Sequence, residues 1–129
     1  MTEPIGQRLE ALRLSLLRLH KVLLDHERSE YEKLNGPVPN PGRLLSLVMS
    51  DPFFDWLHTI SKTIVRIDEI QDDEKSSDAQ AEEIFLHVKR LVLPGEKETE
   101  FTRQYKKSLQ KNAAAVLCHA AVLKTIYDD

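Results

Sequence analysis

Residues 5–34 read IGQRLEALRLSLLRLHKVLLDHERSEYEKL. Apolar side chains recur in this segment at steps of three and four, at Ile5, Leu9, Leu12, Leu16, Leu19 and Leu23. Such steps bring side chains onto one face of an α-helix. We therefore predict a long amphipathic first helix, roughly 45 Å in length at 1.5 Å per residue. Asn35-Gly36 suits the left-handed turn that ends a helix.

The predicted first helix also carries a second apolar line, formed by Leu14, Leu17, Leu24 and Tyr31. A stripe of this width needs cover from more than one direction. The helix is also longer than a compact body of this size requires. We therefore expect several later helices, or a second copy of the chain, to lie against it.

The rest of the sequence predicts further helices. Residues 35–42, NGPVPNPG, form a stiff connector, because proline lacks the amide proton that a helix interior uses. A short helix is predicted around residues 44–49, and longer ones at about 53–71, 78–93, 99–111 and 113–127. Polar residues suited to N-capping are Ser50 or Asp51, Ser77 with Gln80, and Asn112. The last helix is apolar nearly all round, which predicts a central position.

These patterns predict an all-α fold, with one domain over residues 1–129 built from five main helices and a short helix after the proline-rich loop. The length suffices for one domain with its own core. Cys118 is the single cysteine, which excludes an intrachain disulfide and fits a reducing cytosol. No apolar run approaches the ~20 residues that span a bilayer, and the N-terminus lacks a secretory pattern. We expect a cytoplasmic protein without membrane contact.

The charge of the chain argues against a nucleic-acid partner. Eighteen Lys and Arg stand against 21 Asp and Glu, for a net charge of −3 that is spread along the sequence. No basic field is therefore available to attract phosphates. The densest positive segment, Arg103, Lys106, Lys107 and Lys111 around Tyr105, is interpreted as a solvated helix face.

His26 and Glu30 continue the cadence of the leucine ladder, so an ionisable pair occupies the line that faces the core. An imidazole and a carboxylate four residues apart can meet on a helix, and helical bundles build metal sites from such inward residues. With His58 or His119 converging, the candidate metal ligands are His26, Glu30, His58 and His119. In the alternative interpretation, His26 is a charged imidazole that interacts with the C-terminal helix dipole and the neighbouring carboxylate.

Two families of iron-binding bundles share part of this pattern. His26 to Glu30 matches the H-x-x-x-E element of hemerythrin-type bundles, and Asp55 to His58 is the nearest approach to the E-x-x-H element of ferritin-like bundles. Each family needs further elements that the sequence lacks. No family is therefore assigned, and no cofactor is expected.

No catalytic constellation is found in the sequence. Adjacent residues on a helix point about 100° apart, so Cys118 and His119 cannot face each other as nucleophile and base. The glycines are isolated and form no phosphate-binding loop. We predict a non-enzymatic module that acts through protein contacts. One form of this prediction is a homodimer in which the first helices pair. The alternative is a bundle that binds a metal or a small ligand through inward His and Glu residues.

Overall fold

The computed structural model describes residues 1–93, 95 and 97–127, and these residues contain helices but no strand. The α-helices are α1 (Glu3–Asn35), α2 (Pro41–Ser50), α3 (His58–Asp72), α4 (Asp78–Val92), α5 (Glu100–Lys111) and α6 (Ala113–Tyr127). A 3-10 helix, η1 (Pro52–Leu57), lies between α2 and α3. The predicted all-α fold class is confirmed.

The leucine ladder of α1 forms the centre of the core. Its buried members are Leu9, Leu12, Leu16, Leu19 and Leu23, and α3, α4, α6 and η1 pack around them. The longest contact is with α6, which runs antiparallel to α1. Arg8 donates a hydrogen bond to the carbonyl of Ile126 at the end of α6 (3.0 Å), whereas Ser29 and Ala113 line one shallow pocket at its beginning.

The C-terminal part of α1 is covered by the chain itself. The ring of Tyr31 packs against those of Phe53 and Phe54, each at a centroid distance of 5.5 Å. The connector folds back onto the same turns, because Glu32 accepts a hydrogen bond from the amide of buried Val38 at 2.8 Å. Helix α1 is therefore covered within the chain as far as Glu32, whereas Leu34 in its last turn is 76% exposed, and pairing of the first helices stays a prediction.

The second apolar line of α1 is covered only in part. Leu24 and Tyr31 are half-buried, whereas Leu14 and Leu17 are exposed. The sequence predicted cover for all four residues. The other helices pack against the face of α1 that carries the ladder. Leu14 points away from that face because of its position on the helical wheel.

Helix ends follow the predicted capping residues. Asp51 accepts a hydrogen bond from the amide of Phe53 (2.9 Å), and Asn112 accepts one from the amide of Ala114 (3.0 Å). Ser77 and Gln80 form a reciprocal capping box. At the end of α1, Gly36 has a φ of 83°, a left-handed conformation that favours glycine.

The helix predicted at 53–71 is divided in the structure into η1 and α3. Phe54 and Leu57 are both fully buried, and Trp56 lies beside them. A 3-10 turn places residues three apart on the same line, which brings both side chains to the core. The segment has only four apolar residues, Phe53, Phe54, Trp56 and Leu57, and their spacing does not distinguish a 3-10 helix from an α-helix.

The position predicted for α6 is wrong. Only Ala115, Val122 and Ile126 are buried, while Val116 and Leu117 are exposed. Because α6 is apolar on nearly every side, its sequence does not show which face is buried. Only one face of α6 packs against α1. Helix α6 therefore lies at the surface.

Replacing Leu19 by alanine should lower the free energy of unfolding by about 2–5 kcal/mol, because a fully buried leucine leaves a cavity. The matched control is Leu14→Ala in the same helix, which should cost less than about 1 kcal/mol because Leu14 is 42% exposed. Urea denaturation of both variants measures the difference. Equal losses would contradict the assignment of the core face of α1.

Candidate functional site

Helix α5 is attached to the bundle by one narrow edge. Phe101, Tyr105 and Ser108 are its buried residues. The ring of Phe101 lies 5.8 Å from that of Trp56 and stacks on Tyr105 at 5.4 Å, and Tyr105 lies 5.6 Å from the ring of His119. This aromatic line joins η1, α5 and α6. A cleft opens on each side of it.

The first cleft, named the α1–α5 cleft, is bounded by the C-terminal half of α1, by η1 and by α5, with a volume of about 410 Å³. It contains the predicted pair His26 and Glu30. His26 Nε2 lies 3.9 Å from Glu30 Oε1, and both side chains are half-buried. Glu30 also accepts a hydrogen bond from Lys33 at 3.0 Å. This bond lowers the pKa of Glu30, with smaller contributions from the charges of His26 and Lys111.

Glu27 belongs to the same cleft and was not predicted as a site residue. Its Oε2 accepts a hydrogen bond from Trp56 Nε1 at 3.2 Å. Burial raises the pKa of Glu27, and the Trp56 hydrogen bond and nearby positive charges such as Lys107 offset part of the rise. A buried tryptophan N–H usually finds an acceptor. That rule gives a reason to look for a partner of Trp56, but the sequence does not say which residue it is.

The other two predicted metal ligands lie elsewhere. His58 Nε2 is 2.7 Å from the carbonyl oxygen of Val48 in α2, and His119 Nδ1 is 2.7 Å from the hydroxyl of Tyr105. Within residues 1–93, 95 and 97–127, no group of three or more His, Cys, Asp or Glu side chains is placed to hold a metal ion. The expected convergence of His26, Glu30, His58 and His119 is therefore corrected. Of these four residues, the structure joins only His26 and Glu30.

The second cleft, named the α4–α5 cleft, has a volume of about 460 Å³ and lies between the end of α4, α5 and α6. Leu91, Leu93 and Leu109 line it together with Tyr105 and His119. Burial lowers the pKa of His119 and raises that of Tyr105. At neutral pH we therefore assign a neutral imidazole that accepts a hydrogen bond from the tyrosine hydroxyl through Nδ1 and keeps its own proton on Nε2.

No helix described in the structure is long and apolar enough to span a lipid bilayer. Comparisons with protein-family models, with curated proteins and with solved structures give no match. What the two clefts can bind therefore rests on the residues that line them.

The imidazole of His119 should titrate below pH 6.5, because burial disfavours its charged form. The unfolded chain then binds more protons as the pH falls below 6.5. The stability contributed by neutral His119 is present above this pH and is lost as the pH falls through its folded pKa. An NMR titration of the ring protons measures the pKa directly.

The variant Tyr105→Phe tests the hydrogen bond in the same titration. Removing the donor to the neutral imidazole should raise the pKa of His119 toward 6.5. A His119 pKa at or above 6.5 in the unmodified protein would contradict the assigned protonation state.

Proposed function

We propose that the protein is a non-enzymatic, cytosolic helical module that acts through protein contacts, and that one partner is a second copy bound through the outer face of α6. The observation that carries this proposal is Leu117, whose side chain is 74% exposed. It lies on the side of α6 opposite the buried residues. A leucine this exposed on a helix of the bundle is an available anchor for association.

The surroundings of Leu117 support a contact with a helix. Ala113, Ala114, Ala120 and Ala121 precede and follow it by three and four residues, and all four are exposed. Residues at these spacings are neighbours on a helix surface. The outer face of α6 therefore presents one projecting side chain among four small ones.

A second copy is the partner that this surface fits best. Two-fold contacts use the same patch on both subunits, so the patch has to supply both the projecting group and the space that receives it. Leu117 is the projecting group, and the alanines leave the space, as in knobs-into-holes packing. Residues 113–123 contain no Asp, Glu, Lys or Arg, although 30% of the chain is charged. The centre of the contact is therefore uncharged, and the exposed Lys124, two turns after Leu117 on the same face, lies at its end.

The size of the patch predicts weak association. A helix of 15 residues is about 22 Å long and 10 Å wide, so its outer face is smaller than the about 800 Å² per partner of a standard interface. We expect dissociation in the micromolar range or above.

Further observations support a cytosolic location and argue against a nucleic-acid partner. Cys118 is a free thiol, which persists in a reducing compartment. On α5, Arg103 is paired with Glu100. Tyr105 is buried at 3% exposure, so its ring is not offered for stacking on a base.

Replacing Leu117 by aspartate should abolish the dimer, because the change places a charge at the centre of the apolar contact. Sedimentation velocity over a series from micromolar to millimolar concentration should show dimer for the unmodified protein and the 14.9 kDa monomer for Leu117→Asp. The matched control is Leu45→Asp on α2, where the leucine is also exposed, at 61%. This control should dimerise like the unmodified protein.

Circular dichroism melts accompany the sedimentation series, and both variants should melt close to the unmodified protein because each site lies at the surface. An unmodified protein that stays at 14.9 kDa up to millimolar concentration would overturn self-association. Equal loss of dimer in the two variants would overturn the assignment of the contact to α6.

A further inference from the structure

The two walls of the α1–α5 cleft carry opposite charges that do not touch each other. Glu27 and Glu30 lie on the α1 wall, and Lys107 and Lys111 lie on the α5 wall. Lys107 is close enough to affect the pKa of Glu27, and Lys111 that of Glu30, although burial and the Lys33 hydrogen bond respectively are the larger causes. In the part of the chain that the structure describes, neither lysine makes an ion pair or a side-chain hydrogen bond.

The space between these walls is suited to a small molecule. The volume of about 410 Å³ lies in the range of ligand pockets. Leu34 and Phe53 give the cleft an apolar side, and Tyr31 holds the ring of Phe53 at a centroid distance of 5.5 Å. Trp56 fixes the carboxylate of Glu27 through its 3.2 Å hydrogen bond. The carboxylate of Glu27 and the ring of Phe53 are therefore held in position before a ligand arrives.

The carboxylates of the cleft differ in how far other residues already neutralise them. Glu100 pairs with Arg103 and accepts a hydrogen bond from Gln104, and Glu30 accepts one from Lys33. Glu27 accepts only the neutral Trp56 N–H and is partly buried. Asp55 also lines the cleft, but it is exposed to water, so the partly buried Glu27 is the carboxylate that gains most from a cationic ligand group.

We propose that the α1–α5 cleft binds a zwitterionic small molecule of the α-amino acid class with an apolar side chain. The ligand ammonium group binds Glu27, the ligand carboxylate binds Lys107 and Lys111, and the side chain lies against Phe53 and Leu34. A ligand with only a positive charge leaves the two lysines without a counter-charge, and one with only a negative charge leaves Glu27 without one. Both walls are satisfied together only by a molecule with both charges.

Three probes with the same phenyl ring test this proposal by isothermal titration calorimetry: L-phenylalanine, phenethylamine and 3-phenylpropionate. Phenylalanine carries both charges, and each of the others carries one. We expect phenylalanine to bind at least about tenfold more tightly than either, because each charge-assisted contact contributes about a factor of ten or more.

Two variants assign the charges to their walls. Glu27→Gln keeps an acceptor for Trp56 and should weaken phenylalanine binding about tenfold, to the level of 3-phenylpropionate. Lys107→Met should weaken it toward the level of phenethylamine, because Lys111 alone then binds the ligand carboxylate. The matched controls Glu69→Gln on α3 and Lys106→Met on α5 lie outside this cleft and should bind phenylalanine normally.

Equal binding of phenylalanine and phenethylamine would overturn the proposal in favour of a cation site, and equal binding of phenylalanine and 3-phenylpropionate would do so in favour of an anion site. The absence of saturable binding by all three probes would overturn it altogether. Leu117→Asp should bind phenylalanine like the unmodified protein. The outcome for the cleft is therefore independent of dimerisation.

Discussion

Burial of the leucine ladder on α1 is the constraint on which the rest of the structure depends. The ladder needs cover along successive turns, so each partner helix contributes one apolar edge and turns its other faces to solvent. Helix α6 covers α1 along much of its length, and α3, α4 and η1 cover the remaining sides. The side chains on the other faces of these helices, which do not contact the ladder, therefore form the outer surface of the protein.

Helix α5 illustrates the consequence of a narrow apolar edge. Its aromatic pair, Phe101 and Tyr105, holds it to η1 and α6, and long polar side chains occupy most of its other positions. Because Lys107 and Lys111 keep their charged ends in water, α5 does not close against the carboxylates of α1. The α1–α5 cleft is thus a direct result of a helix with few apolar residues held beside a helix with many.

Local chemistry was readable from the sequence, and contacts between helices were not. The ladder from Leu9 to Leu23 and the Ser77–Gln80 capping box depend on residues within a few turns of each other. The meeting of His26 and Glu30 is local in the same sense. The Glu27–Trp56 hydrogen bond joins residues 29 positions apart and depends on how η1 packs against α1. For α6, an apolar pattern on every side removed the directional signal that predicts burial.

The two surfaces proposed for binding differ in charge, and the fold alone explains neither. Packing against α1 requires only the inner face of α6, so a lysine at position 117 would satisfy the same core and keep the surface polar. Exposed alanines are favourable in a helix, but an exposed leucine gains little from the fold itself. In the α1–α5 cleft, partial burial of Glu27 is unfavourable for its charge, and the bond from Trp56 offsets only part of this cost. Exposed Leu117 and partly buried Glu27 are therefore the positions on which the proposed partner and the proposed ligand rest.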